Sequence, residues 1–226
     1  MKIKKAVLEY DIEDNLPLSY GSKLRGFFAN KFDNVLFHHH KKDGGFKYQY
    51  PLIQYKIIKG NPVVVAMGKG CEIVSKHFLD IEKLKLEDKI YKLPTGRLKV
   101  DQINLEVKEN YNMFPYSYDF YSPWMALNQK NYNKYVNELK NEKEKRKYLS
   151  KILTGNILSF AKGINWWVEN EIVVMPELEE ITVNFKNNKM LGFKGRFYSN
   201  ISLPEYIGLG KSTSRGFGTL EKNIIE

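Results

Sequence analysis

The sequence predicts an α+β protein made of two tandem ferredoxin-like (RRM-like) domains packed around a central cleft. Three observations carry that prediction. Residues 3 to about 110 read as strand, helix, strand, strand, helix, strand, which is the order of that fold. The second half repeats the order less cleanly, and no stretch rich in Pro, Gly or Ser separates the halves. The domains are placed at 1–113 and 114–226.

Taken in order, Ala6, Leu8 and Tyr10 alternate as in a half-buried strand, and Leu24, Phe27, Phe28 and Phe32 then share one helical face. The chain next reaches His38-His39-His40, a polar loop from Lys41 to Gly45, and a strand-like stretch from Tyr48 to Tyr55. The turn Lys59-Gly60-Asn61-Pro62 folds Val63 to Ala66 back as a hairpin. A second helix carries Ile73, Val74, Phe78 and Ile81. Leu98 and Val100, then Ile103, Leu105 and Val107, alternate with a phase slip that marks a bulge or a break.

In the second half, Tyr116, Tyr118 and Phe120 alternate and lead into a polar, aromatic segment through Tyr135. A long helix follows with Leu149, Ile152, Leu153, Ile157, Phe160 and Ile164 on one face, its first turns being the charge run Lys140 to Lys147. Ile181, Val183 and Phe185, then Leu191, Phe193 and Phe197, flank Asn187-Asn188 as a hairpin, with Lys194 and Arg196 on the opposite phase. The last strand is placed at Phe217 to Leu220.

The 226 residues are 42% hydrophobic and 14% aromatic, ample for packed cores. Lys plus Arg outnumber Asp plus Glu by 36 to 26, a formal charge of +10, which favours a polyanion: nucleic acid or an anionic membrane. No run of about eighteen apolar residues occurs, and Met1 to Lys5 leads into a strand pattern instead of a signal-peptide core, so the expected location is cytoplasmic with no membrane partner. The single cysteine, Cys71, excludes an intramolecular disulfide and cysteine-based zinc sites.

The stretch Gly208 to Gly218, Gly-Leu-Gly-Lys-Ser-Thr-Ser-Arg-Gly-Phe-Gly, joins four glycines, two cations and three hydroxyls in eleven residues. Such a backbone reaches positive φ and meets an anion closely. Neither common nucleotide motif fits. A P-loop needs glycine where Glu205 stands, and a dinucleotide fingerprint needs glycine where Thr213 stands. A flexible turn before the last strand is the plain alternative.

Together with Leu24-Arg25-Gly26-Phe27-Phe28, His38-His39-His40, Tyr50 to Tyr55 and Ser122 to Asn128, this loop makes the chain resemble a known family. It is similar to the CRISPR-associated endoribonucleases that process precursor crRNA, in the repeat-associated RNA-binding protein superfamily, and most to the variety with a histidine cluster after the first helix. The resemblance implies two ferredoxin-like domains that bind CRISPR repeat RNA and cut it once per repeat without metal or other cofactor. It implies 5′-hydroxyl and 2′,3′-cyclic phosphate ends, and crRNA handed on to effector-complex subunits; a homodimer is left open.

Metal-free cleavage needs the 2′ hydroxyl deprotonated and the leaving 5′ oxygen protonated, and an imidazole of pKa about 6.5 serves both steps. In an extended segment His38 and His40 point the same way; at a helix end they diverge by about 100° per residue and His40 is preferred. A metal site built on these histidines would have only Asp33 or Asp43 beside it, a poor ligand set. Lys31 and Tyr48 flank the cluster as candidates to stabilise the phosphate or orient a histidine. His77 is given no catalytic role. Gly208, Gly210, Lys211, Ser212, Thr213, Ser214, Arg215, Gly216 and Gly218 are the expected hold on RNA phosphates, through main-chain N–H groups, hydroxyls and cations, with Lys194 and Arg196 extending the track. Tyr116, Tyr118, Tyr121 and Trp124 are either base-stacking or core aromatics. Two other functions fit parts of the pattern: a non-cleaving RNA-binding subunit of a CRISPR effector, which has no need of the histidines, and a nucleotide-binding signalling protein, against which the loop spacing counts.

Overall fold

The structure, a computed structural model, describes residues 1–32, 49–92, 96–186 and 188–224. It divides into two units. The first comprises Met1–Asn104, Gly163–Asn165 and Thr213–Gly216; the second comprises Leu105–Lys162, Trp166–Ser212 and Phe217–Glu226.

The first unit runs β1 (Lys2–Glu9), α1 (Gly21–Lys31), β2 (Ile53–Ile58), β3 (Asn61–Met67), α2 (Lys69–His77), a small hairpin of β4 (Lys83–Leu86) and β5 (Lys89–Lys92), and β6 (Arg97–Asn104). Its four-stranded sheet has the order β2-β3-β1-β6, every pair antiparallel. Setting the hairpin aside, the first and third strands are central and the second and fourth are at the edges, which is the ferredoxin-like arrangement. Alternation decides the faces. Ala6 and Leu8 of β1, Val64 and Ala66 of β3, and Ile53, Tyr55 and Ile57 of β2 share the core with Leu24 and Phe28 of α1 and Cys71 and Val74 of α2. Each large side chain buried this way contributes about 1.5–3 kcal/mol.

The β4–β5 hairpin is absent from the sequence expectation. Leu84 and Leu86 enter the same core, while its polar side chains join ion pairs with other segments: Lys23 with Glu87, and Lys89 with Asp14. The Tyr91 hydroxyl donates to Asp14 at 2.9 Å. The phase slip between Val100 and Ile103 is neither a bulge nor a break, since β6 pairs with β1 in unbroken register from Arg97 to Asn104; the strand ends there, and Val107 bridges Ile201 in the second unit.

The second unit runs β7 (Tyr116–Phe120), α3 (Gln129–Asn137), α4 (Glu142–Gly163, whose last residue is grouped with the first unit), β8 (Val174–Phe185), β9 (Asn188–Ser199) and β10 (Leu220–Asn223). The sheet order β10-β7-β9-β8, again antiparallel, repeats that of the first unit. The polar segment before Tyr135 is a helix, capped by Asn128, whose side chain accepts the Asn131 N–H at 2.7 Å. The last strand begins at Leu220, later than the sequence suggested. Leu149, Leu153, Ile157 and Phe160 of α4 are buried, as are Tyr118, Phe120, Trp124, Phe193 and Phe197. The Phe120 and Trp124 rings stack 5.2 Å apart and nearly parallel.

In the second unit the connection from β9 to β10, where this fold would place a second helix, is the glycine-rich segment with one 3-10 turn at Thr213–Arg215. Among the described residues no helix is long and apolar enough to cross a membrane.

Candidate nucleic-acid interface

The glycine segment is closed at its neck by its own backbone. Gly208 bridges Thr219, the Leu209 N–H donates to the Gly218 carbonyl at 2.9 Å, and the Leu220 N–H donates to Ile207 at 2.8 Å. Its floor is the stretch Ser122 to Met125. The Lys211 N–H donates to the Met125 carbonyl at 3.0 Å, the Gly218 N–H to Pro123 at 2.8 Å, and the Thr219 N–H to the Ser122 hydroxyl at 2.9 Å. These bonds account for the Ser122-Pro123-Trp124-Met125 pattern: it anchors a loop some ninety residues later.

Close approach to that floor requires glycine at position 210. Its φ is +88°, and a Cβ there would lie 2.7 Å from the Trp124 Nε1 and 2.8 Å from the Met125 carbonyl oxygen. Trp124 is itself fixed by its Nε1–H, which donates to Asn156 Oδ1 at 3.0 Å. The loop is therefore built, with Ser212 (φ +57°), Gly216 (+93°) and Gly218 (+60°) also in the left-handed region.

This construction redistributes the expected anion-binding groups. The N–H groups of Lys211, Gly216 and Gly218 are spent on Met125, Thr213 and Pro123. What faces outward is side chain: Lys211 is exposed, Ser212, Ser214 and Arg215 are half-buried, and Thr213 is buried.

The turn Thr213–Gly216 packs within the first unit, beside β2 and the start of α1. Gly21 permits this, since a Cβ there would lie 2.7 Å from the Arg215 carbonyl oxygen and 3.1 Å from that of Tyr55. One helical turn further on, Arg25 is held below the usual arginine pKa, first by burial and then by the like charge of Arg215. Beneath the turn lies Lys56 of β2, fully buried, whose Nζ donates to the Thr213 carbonyl at 3.0 Å. Burial pushes its pKa down to about 7. Sequence reasoning missed both Arg25 as a neighbour of the loop and Lys56. Gly26 and the aromatics around Arg25 point to a helix but not to its partner, and a lysine in an edge strand reads as solvent-facing.

Of the two cations on β9, both exposed, Lys194 pairs in register with Glu179. Arg196 is engaged: its Nε and Nη2 donate to the two Asp119 carboxylate oxygens at 2.8 and 2.9 Å. That fork holds the Asp119 carboxyl below the ordinary carboxylate range and raises the arginine. Lys31 stands exposed at the last turn of α1, its ammonium 6.0 Å from the Phe32 ring centroid. His38, His40 and Tyr48 lie outside the described residues. His77 pairs with Asp80 at 2.9 Å and lies against the Phe32 ring, 4.7 Å between centroids. Tyr118 and Trp124 are core residues, while Tyr116 and Tyr121 are half-buried. Among the described residues no group of three or more His, Cys, Asp or Glu side chains is placed to hold a metal ion.

Two ferredoxin-like units, the second completed by a glycine-rich loop in place of a helix and carrying cations at that loop, define the tandem class that the sequence resembles. Comparison with known proteins narrows the class. Residues 1–104 match the family model described as the Cas6b N-terminal domain, and residues 110–223 match the Cas6b C-terminal domain. The chain belongs to the Cas6b family. It is 41% identical over 143 residues to an uncharacterized protein of Methanocaldococcus jannaschii, covering 63% of this chain and 93% of that one. A solved structure described as Cas6b aligns over 99% of this chain and 100% of its own at 34% identity, with a TM-score of 0.90. Another, described as the CRISPR RNA processing endoribonuclease Cas6b, aligns over 99% and 100% at 32% identity, with a TM-score of 0.77.

Proposed function

We propose that this protein is a metal-independent endoribonuclease that cuts CRISPR repeat RNA within precursor transcripts to give mature crRNA. The observation that carries the proposal is the match of both halves, in order, to the two domains of one family, which includes a structure described as a CRISPR RNA processing endoribonuclease.

In this reading the glycine-rich loop holds and the histidines cut. Lys211, Arg215 and the Ser212 and Ser214 hydroxyls engage phosphates of the bound strand, with Lys194 extending the track. Arg196 contributes less, since Asp119 already fills its fork. His38 and His40 serve as the base and acid. The base takes the proton of the 2′ hydroxyl, whose oxygen attacks the adjacent phosphorus. The bond to the 5′ oxygen breaks as the acid delivers a proton to it, leaving 2′,3′-cyclic phosphate and 5′-hydroxyl ends. Lys31 or Tyr48 stabilises the crowded phosphate charge. The protons and charges balance within these groups, so the scheme calls for no metal.

The test is a repeat RNA with hydrogen in place of the 2′ hydroxyl just upstream of the cut. Binding with no cleavage is expected. Cleavage of that RNA at the usual rate excludes the cyclic-phosphate route.

A further inference from the structure

Among the described residues at the glycine loop, Lys56 is explained neither by packing nor by the proposed chemistry. Its side chain lies on the sheet face opposite α1 and α2, in a row set by the register: Lys56 faces Val63, Val63 faces Glu9, and Glu9 faces Arg97. The carboxylate in that row is two strand spacings away, about 10 Å. It is also 3.7 Å from Arg97, which stands on its far side. Sealing an ammonium without a counter-ion is costly, and a methionine would fill the same space without that cost.

The surroundings sharpen the imbalance. Arg215 is two residues beyond Thr213 on the turn, and Arg25 is on α1, which covers the other face of the sheet; burial, with no contribution from either, displaces the Lys56 titration. Pro62 and Val63 of β3 carry no charge. Gln54, two residues earlier on the same face, has its amide bonded to the Pro51 carbonyl at 3.1 Å. Among the described residues the hydrogen-bond partner of the Lys56 Nζ is the Thr213 carbonyl, and burial is what displaces its titration. Among the described residues none of these neighbours brings a negative charge to Lys56, which lies directly under the turn that presents Ser214 and Arg215.

We propose that Lys56 is a positioning residue for the glycine-rich loop: its ammonium fixes the Thr213 turn from beneath, and RNA bound on that turn favours its protonated form. This rests on the RNA-binding role proposed above. A phosphodiester supplies the missing negative charge, and even a rise of about one pKa unit, at the low end for a nearby opposite charge, draws about 0.4 proton onto Lys56 at pH 7. RNA binding is thereby coupled to proton uptake at a residue that touches no RNA.

The experiment is calorimetric binding of the 2′-deoxy-blocked repeat RNA at pH 7, in two buffers of different ionisation heat, for the wild type and Lys56→Met. Any uptake by the histidines appears in both proteins, so the difference isolates Lys56. The variant is expected to take up about 0.4 proton fewer and to bind about tenfold more weakly, with an unchanged or higher melting temperature. Lys56→Gln keeps an N–H donor that does not titrate; it is expected to recover affinity but not proton uptake, which separates the device from plain packing. Equal proton uptake and affinities within about twofold for wild type and Lys56→Met overturn the proposal. If neither variant folds, NMR titration of the wild-type lysine amines decides: an amine titrating near pH 7 that moves upward with RNA supports the role, and one that stays in place overturns it. A wild type that binds no RNA overturns the function proposed above instead.

Discussion

Gly210 passes so near Trp124 that a Cβ on the glycine would stand 2.7 Å from the indole nitrogen, which is already committed to Asn156. The loop thus has one shape because a buried ring and a backbone with φ of +88° leave it no other. Gly210→Ala is expected to lower unfolding stability by about 1–3 kcal/mol from backbone strain and contact together. It should weaken RNA binding further by displacing Lys211. Denaturant unfolding and RNA titration check both, and a variant with wild-type values in each would mean the loop tolerates another path.

The cations near the loop are not equivalent. Arg196 shares its charge with Asp119, whereas Lys211 reaches outward from a main chain tied to Met125. Lys211→Ala is expected to reduce the slope of log affinity against log salt by about 0.7, the loss of one single-strand phosphate contact. Arg196→Ala should change that slope far less. Equal changes for the two would show that RNA displaces Asp119.

The architecture was legible because it is local. Alternation at Ala6, Leu8 and Tyr10, the stripe at Leu24 and Phe28, and the hairpin around Asn188 each declare a face within a few residues. The helix α3 was not read, because only Tyr135 of its nine residues is buried, although Asn128 is an N-cap residue type. The β4–β5 hairpin hid its Leu84 and Leu86 among charges. Lys56 and the Arg196–Asp119 fork are products of distance: Thr213 is 157 positions from Lys56, and Asp119 is 77 from Arg196. No local pattern encodes such partners. The histidine cluster was legible as a type of chemistry and not as a geometry.

Lys56 also sets a pH dependence. It holds its proton less tightly in the fold than in the unfolded chain, so from about pH 7 to about pH 10 the unfolded chain carries more protons and this residue makes stability rise with pH. Above about pH 10 the trend reverses, because burial makes Tyr10, Tyr55 and Tyr118 keep protons that the unfolded chain has lost. Denaturation midpoints at pH 7 and pH 9 should separate for the wild type more than for Lys56→Met. Identical shifts would remove Lys56 as the cause.

His38→Ala and His40→Ala are each expected to lower the single-turnover cleavage rate by about 10²–10⁴ while leaving RNA affinity within about twofold. Single-turnover kinetics alongside equilibrium binding checks this. A double variant that cuts at the wild-type rate would transfer the proton chemistry to other residues.

The most direct measurement is incubation of end-labelled repeat RNA with the protein in excess EDTA, followed by analysis of both product ends. The account predicts one cut per repeat, with a 2′,3′-cyclic phosphate on the upstream product and a 5′ hydroxyl on the downstream one. Cleavage that stops in EDTA and returns with added metal, or products bearing a 5′ phosphate, would contradict it.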